Sequence, residues 1–245
     1  MFRREVDERG SDRSRPTWLA VTGATLLGVV LGTGAHVAVG ATSPAPAPRA
    51  EVAGAVLERD VPGAVLEVSA HGCGIAKQAS ATVVQGPRGP VVLTNAHVVT
   101  GAGTVVVRTP AGDVTARVAG VVQGRDAAVL RVDPGEWPEG VAPTRPVGAD
   151  ARTGDPVDVT GFPAGDPERR AGRVTSIEPR QAYGGTTSVL VIDAPAEPGS
   201  SGGAVLDVTG AVVGLVAARD PGSGATVAYP VRDLLDGTLV AAPGC

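Results

Sequence analysis

The sequence predicts an all-β protein of two six-stranded antiparallel β-barrels, preceded by one N-terminal hydrophobic helix. Three observations predict it. Short Val-rich runs recur between Gly, Pro and Asp, the spacing of strands in a barrel or sandwich. No long helical periodicity interrupts them after about residue 56. The Pro-rich segment 133–146, DPGEWPEGVAPTRP, divides the runs into two sets of about six.

Composition narrows the class. The 245 residues are 43% hydrophobic, enough for a substantial apolar core. Only Phe2, Trp18, Trp137, Phe162, Tyr183 and Tyr229 are aromatic, so that core must be Val, Leu and Ala. A net charge of −4 with dispersed signs gives no nucleic-acid footprint, and no nucleic-acid partner is expected. Lys77 is the single lysine among 21 basic residues.

Taken in order, residues 1–16 form a tail with Arg3, Arg4, Arg9, Arg13 and Arg15. The orientation rule counts such basic residues and keeps the tail in the cytoplasm. Residues 17–48 contain no charged side chain, and 17–41 exceed the roughly 20 residues that cross a bilayer as a helix. They are read as a single-pass membrane anchor with the remainder outside. A cleaved signal peptide ending at Val39-Gly40-Ala41 is the alternative, which would make the protein secreted. Residues 42–55 form an extended Pro/Ala linker.

Within 56–245 the first set of strands is expected at 64–68, 79–85, 91–94, 104–109, 114–122 and 128–132, giving a first barrel over about 56–140. The second is expected at 156–160, 172–177, 188–192, 203–207, 212–217 and 225–229, giving a second barrel over about 146–231. A short helix near 231–236 opens the C-terminal tail, 232–245.

Outside the anchor there are two histidines, His71 and His97. With Cys73 and Cys245 they show no zinc-ligand spacing, so neither metal nor cofactor is implied. His97 follows an apolar strand in VVLTNAHVVTG, Asp126 precedes one in GRDAAVLRV, and Ser201 lies in PGSSGGAV. Each alone fits a strand end or a turn. Together they supply what acyl transfer needs. A serine hydroxyl is a weak nucleophile that requires an adjacent base, and an imidazole serving as that base requires a carboxylate to fix its tautomer. Glycines permit a tight turn that aims backbone N–H groups at one developing oxyanion.

The stretches TNAHVV, DAAVL and PGSSGGAVLD, in the order His, Asp, Ser, resemble the three catalytic motifs of trypsin-like, chymotrypsin-fold serine proteases. The likeness is to the bacterial HtrA-related branch without a PDZ domain, and it extends over about 65–231 through GFP (161–163) and GLVAARD…TVAYPV. It implies an active site between the barrels, with His97 as general base, Asp126 as its orienting acid and Ser201 as nucleophile. The N–H groups of Gly199 and Ser201 would form the oxyanion hole. The substrates implied are proteins or peptides, cleaved by a monomer in the simplest reading.

The HtrA branch usually carries Asn, and animal trypsins Asp, where this chain has Ser200. No Ile-Val-Gly-Gly start of the zymogen type is present, so activation by a new N-terminus is not expected. The primary pocket of the family maps to Pro195, Pro198, Val216, Ala217 and Ala218. Pro195, where trypsins place an aspartate, implies acceptance of a small or apolar side chain. Actinobacterial membrane-anchored periplasmic proteases are similar in their CG before the first barrel and their C-terminal Cys, which implies a Cys73–Cys245 disulfide. The competing function is a catalytically silent protease-fold module that binds peptides or protein partners at the cell envelope.

Overall fold

The computed structural model describes residues 56–57, 63–87, 89–133, 135–137, 144–182 and 185–244. The segments expected to be tail, membrane helix and linker lie outside them, as does Cys245. No helix among the described residues is long and apolar enough to cross a membrane.

The chain runs β1 (Val56–Leu57), β2 (Val65–Gly72), β3 (Ile75–Gly86), β4 (Gly89–Thr94), α1 (Ala96–Val99), β5 (Thr104–Thr109), β6 (Gly112–Val122) and β7 (Ala128–Val132). It continues with β8 (Pro156–Gly161), a 3₁₀ turn (Pro163–Gly165), β9 (Glu168–Ala182), β10 (Gly185–Ile192), β11 (Ala204–Leu206), β12 (Val212–Arg219), β13 (Thr226–Pro230), α2 (Val231–Leu235) and β14 (Leu239–Val240). The first sheet has the order β14-β6-β5-β2-β3-β4-β7, and pairing of β6 with β7 closes β2 to β7 into a six-stranded ring. The second has the order β1-β9-β10-β13-β12-β11-β8, closed in the same way by β8 with β9. Closure leaves neither ring with free edges in its own circuit.

Period-2 alternation explains why these strands read as continuous apolar runs. In β10, Leu190 and Ile192 point into the core of the second barrel, while Val189 and Val191 point the other way. In β11, Val205 faces that core, whereas Ala204 and Leu206 join Val189. From the first barrel, Val65, Val84, Leu93 and Val122 join the same set, which is therefore an apolar layer between the barrels. Leu66, Val68 and Ala70 fill the first barrel's own interior. Both faces are buried in β11 and in 189–192 of β10, and there no polar residue enters the alternation; in β2 the face opposite Leu66, Val68 and Ala70 carries Glu67 and Ser69.

Besides the unexpected helix α1, three features of the strands differ from the sequence expectation. β9 runs for 15 residues where 172–177 was expected, because its charged ends, Arg169 to Arg173 and Glu178 to Arg180, resemble loop. β1 pairs with β9, so the strand that opens the domain lies on the second sheet (Val56 opposite Arg170). β14 pairs with β6, which places part of the C-terminal tail on the first sheet. There Gln123 N–H donates to Thr238 O at 2.9 Å, and Gly101 N–H to Pro243 O at 3.3 Å. The short helix α2 lies where 231–236 predicted one.

Candidate active site

β4 delivers the chain to α1, a single turn whose Ala96, Val98 and Val99 are buried. Their burial turns His97 outward, with its side chain 38% exposed. Asn95 precedes the helix but does not cap it. Its Nδ2 donates instead to the Asp126 carbonyl at 2.6 Å, and its Oδ1 is buried with no partner among the described residues.

Asp126 is buried in the turn between β6 and β7, where Val122 N–H donates to Ala127 O at 2.8 Å. Its carboxylate accepts twice from one residue: His97 N–H donates to Oδ1 at 2.8 Å, and Nδ1 lies 2.6 Å from Oδ2. An ionised carboxylate only accepts, so Nδ1 carries the proton and the Nε2 lone pair is left available. From the second barrel, the Tyr229 hydroxyl accepts the Asp126 N–H at 3.3 Å. Burial pushes the Tyr229 phenol above its ordinary pKa, opposed by that N–H.

Ser201 is half-buried on the loop between β10 and β11. Ser200 N–H donates to Glu197 O at 3.0 Å, closing a turn with Pro198 and Gly199 at its centre. Gly199 has φ of 102°, so this is a type II turn, with proline and glycine in the positions that turn favours. Gly202, at φ 82°, is required by close approach as well: a Cβ there would lie 2.1 Å from Ser80 O. β3 touches both halves of the site. Ser80 N–H donates to Ser201 O at 2.8 Å, and Lys77 Nζ to His97 O. Among the described residues no hydrogen bond joins the Ser201 hydroxyl to His97; the ring is paired with Asp126.

A cavity of about 430 Å³ opens beside this loop, lined by Thr175, Val191, Asp193, Pro195, Arg219, Ser223, Gly224 and Ala225. Of the expected pocket residues only Pro195 lines it. Val216 and Ala217 are buried in the two apolar layers, Ala218 is exposed, and Pro198 is exposed at the turn. Arg219 lies 3.7 Å from Glu197, the first residue of the turn. Asp220 accepts from the Ser223 N–H and from Arg180, and these contacts hold its carboxyl well below the usual range. The second-barrel wall is thus a loop held by ion pairs and hydrogen bonds. Cys73 caps the β2–β3 turn at φ 41°, and there is no free cysteine among the described residues.

Sequence reasoning missed Tyr229, Asn95 and Ser80. Asn95 stands beside His97 in TNAH and could have been found there. Tyr229 is signalled only by the scarcity of aromatics, and Ser80 by nothing local.

Two closed β-rings and a buried carboxylate paired with a half-exposed imidazole define a serine endopeptidase of the trypsin-like fold. The profile of the trypsin-like peptidase domain matches residues 79–215, more than half of the chain, and the chain belongs to that family. Among solved structures it is similar to the active form of the Rv3671c protease from M. tuberculosis, at 25% identity and TM-score 0.63, covering 75% of this chain and 85% of that one. The inactive form of the same protease matches at 26% and 0.59, covering 70% and 85%. The HtrA-type protease AlgW with a tripeptide matches at 25% and 0.62, covering 72% of this chain and 59% of that chain. A search of curated proteins found no match.

Proposed function

We propose that this endopeptidase cleaves peptide bonds through an acyl-enzyme on Ser201, with His97 as general base and Asp126 as its orienting acid. The observation that carries this is the double acceptance by Asp126, which holds the ring in one tautomer and one orientation. Ser201 Oγ attacks the scissile carbonyl carbon as its proton passes to His97 Nε2. The negative charge that forms on the carbonyl oxygen is held by the N–H groups of Gly199 and Ser201. Collapse breaks the C–N bond, and His97 returns the proton to the leaving amine. Water, deprotonated by the same nitrogen, attacks the acyl carbon; the ester C–O bond breaks, the acid leaves and His97 returns the proton to Ser201 Oγ. The Ser201–His97 hydrogen bond forms with substrate in place, since catalytic hydrogen bonds commonly complete only in the substrate complex.

Labelling with a fluorophosphonate tests the reading. The wild-type chain takes one label and Ser201→Ala takes none; a wild type that takes none supports the silent peptide-binding module instead.

We further propose that the protein acts at the cell envelope, anchored through 17–41 or secreted after cleavage, as a monomer on proteins or peptides; the uncharged stretch 17–48 behind an arginine-bearing tail supports this. A small or apolar substrate side chain suits Pro195, Val191 and Ala225 along the cavity. A Cys73–Cys245 disulfide is supported by the absence of a free cysteine among the described residues. It is supported as well by the course of the tail: Pro243 O accepts from Gly101, whose position is 3.9 Å (as a built Cβ) from Cys73 Cβ. Mass analysis without reductant is expected to show two hydrogen atoms fewer than the dithiol, and a free dithiol in exported protein excludes the bridge.

A further inference from the structure

We infer that Ser80, in the first barrel, is a positioning residue for the oxyanion hole, acting by locking the turn that presents the Gly199 N–H. The inference rests on the serine-protease reading above.

A turn with proline second and glycine third is compatible with two states. Proline fits the second position of both type I and type II turns, and glycine at the third accepts either sign of φ. The two differ by a flip of the central peptide, here Pro198–Gly199. In one state its N–H points to a given side; in the other its carbonyl oxygen does. A hole built on that N–H exists in only one of them, so something outside the turn must choose.

Two carbonyl anchors make the choice. Pro198 O accepts the Ala164 N–H at 3.3 Å, and across a planar trans peptide the Gly199 N–H must then point away from the 163–165 turn. Gly199 O accepts the Ser80 hydroxyl at 2.8 Å, which sends the Ser200 N–H away from β3 toward Glu197 O. The Ser80 oxygen in turn accepts the Phe162 N–H at 2.8 Å. One fully buried hydroxyl therefore ties the nucleophile turn to the loop that supplies the other anchor. Its own backbone is fixed twice, by N–H to Ser201 O at 2.8 Å and by acceptance from Thr94 Oγ1 at 2.8 Å.

The first anchor, the 163–165 turn, is itself held in an unfavourable conformation. Ala164 adopts φ 52° and ψ 20°, the left-handed region, which an alanine enters only when its surroundings impose it. Gly199 fits tightly against the same loop: a Cβ there would meet Phe162 O at 2.7 Å. Without the Ser80 bridge, the loop and the turn lose their common partner, and the type I state becomes accessible. Ser80 touches no reacting atom, so its effect must appear in transition-state binding and not in substrate affinity.

The test uses the full chain, on a peptide substrate and on a peptidyl boronic acid whose tetrahedral adduct fills the hole. Ser80→Ala is expected to lower kcat about 10- to 100-fold, at or below the loss for one missing oxyanion donor, with KM within about twofold. Boronate affinity falls by the same factor. Thr109→Ala, which removes another buried hydroxyl whose bonds stay within the β5–β6 turn, is expected to leave kcat unchanged. Gly199→Ala forces the turn out of φ 102°, and adding Ser80→Ala to it is expected to change kcat less than about threefold further, since both act on one turn. Should Ser80→Ala fail to fold, Ser80→Cys takes its place, keeping the volume and weakening the donor. Wild-type kcat in the Ser80 variant, or losses that multiply in the double variant, overturn the inference while leaving the serine-protease reading intact. A wild-type chain that neither cleaves nor labels overturns both.

Discussion

Replacing Asp126 by asparagine isolates the contribution of tautomer control, because the variant keeps shape and hydrogen-bonding capacity. The backbone N–H of His97, 2.8 Å from Oδ1, is a fixed donor and requires an oxygen opposite it. The amide then turns its NH₂ toward Nδ1, now as a donor at the 2.6 Å position. Nδ1 must accept, the ring proton moves to Nε2, and Nε2 can no longer take the proton of Ser201. The alternative rotamer restores the active tautomer but sets NH₂ against the His97 N–H. Two buried donors unpaired at about 1–3 kcal/mol each amount to about 2–6 kcal/mol. The active form is then depleted about 30-fold to about 2 × 10⁴-fold, a range that includes the roughly 10⁴-fold loss known for wrong-tautomer triads. The assay is kcat/KM on a peptide at neutral pH, beside the second-order rate of fluorophosphonate labelling; both should fall together while thermal stability changes little. A loss smaller than about tenfold in both would refute the tautomer argument.

Other perturbations have equally definite outcomes. Tyr229→Phe leaves the buried Asp126 N–H without its partner and should cost about 1–3 kcal/mol, read by denaturant titration; unchanged stability would show that the 3.3 Å contact contributes nothing. Gly202→Ala drives a Cβ to within 2.1 Å of Ser80 O at φ 82°, and is expected to destabilise by about 3 kcal/mol or more; a variant melting with the wild type would contradict that packing. For Asp207, partial burial raises the carboxyl pKa but is outweighed by donors from Thr209, Ala211 and Gly210, so its folded value lies below the unfolded one. Its stabilising contribution is therefore complete above the unfolded value near 4 and is lost as pH falls through the depressed one. Protection of the Thr209 and Ala211 amides from hydrogen exchange should follow that descent, and protection independent of pH would dissociate the loop from the carboxyl.

What the sequence made legible was local. Val189 to Ile192 or Ala204 to Leu206 announce buried strands because alternation fills an apolar layer on each side, and the short motifs around His97, Asp126 and Ser201 carry their own turn chemistry. What it concealed depends on distance along the chain. Ser80 meets Gly199 across 119 positions and Tyr229 meets Asp126 across 103, and no periodicity within a strand encodes such a bond. α1 was hidden for a different reason: a four-residue helix has no repeat to detect. The length of β9 was hidden by charge, since arginines paired with Asp158 and Glu168 can occupy a strand surface that composition assigns to a loop.

The exchange of outer strands bears on how the domain is synthesised. β1 emerges from the ribosome first, yet its partner β9 follows more than 100 residues later; β6 must likewise wait for β14. At translation speeds of about 5–20 residues per second, the first barrel spends seconds with the position outside β6 vacant, and it is not fully dressed until residues 238–243 are free. Nascent chains arrested short of that point should therefore be more sensitive to protease along β6 than along the other five strands of its ring, and residues 238–243 act as a timer for completion of the first-made barrel.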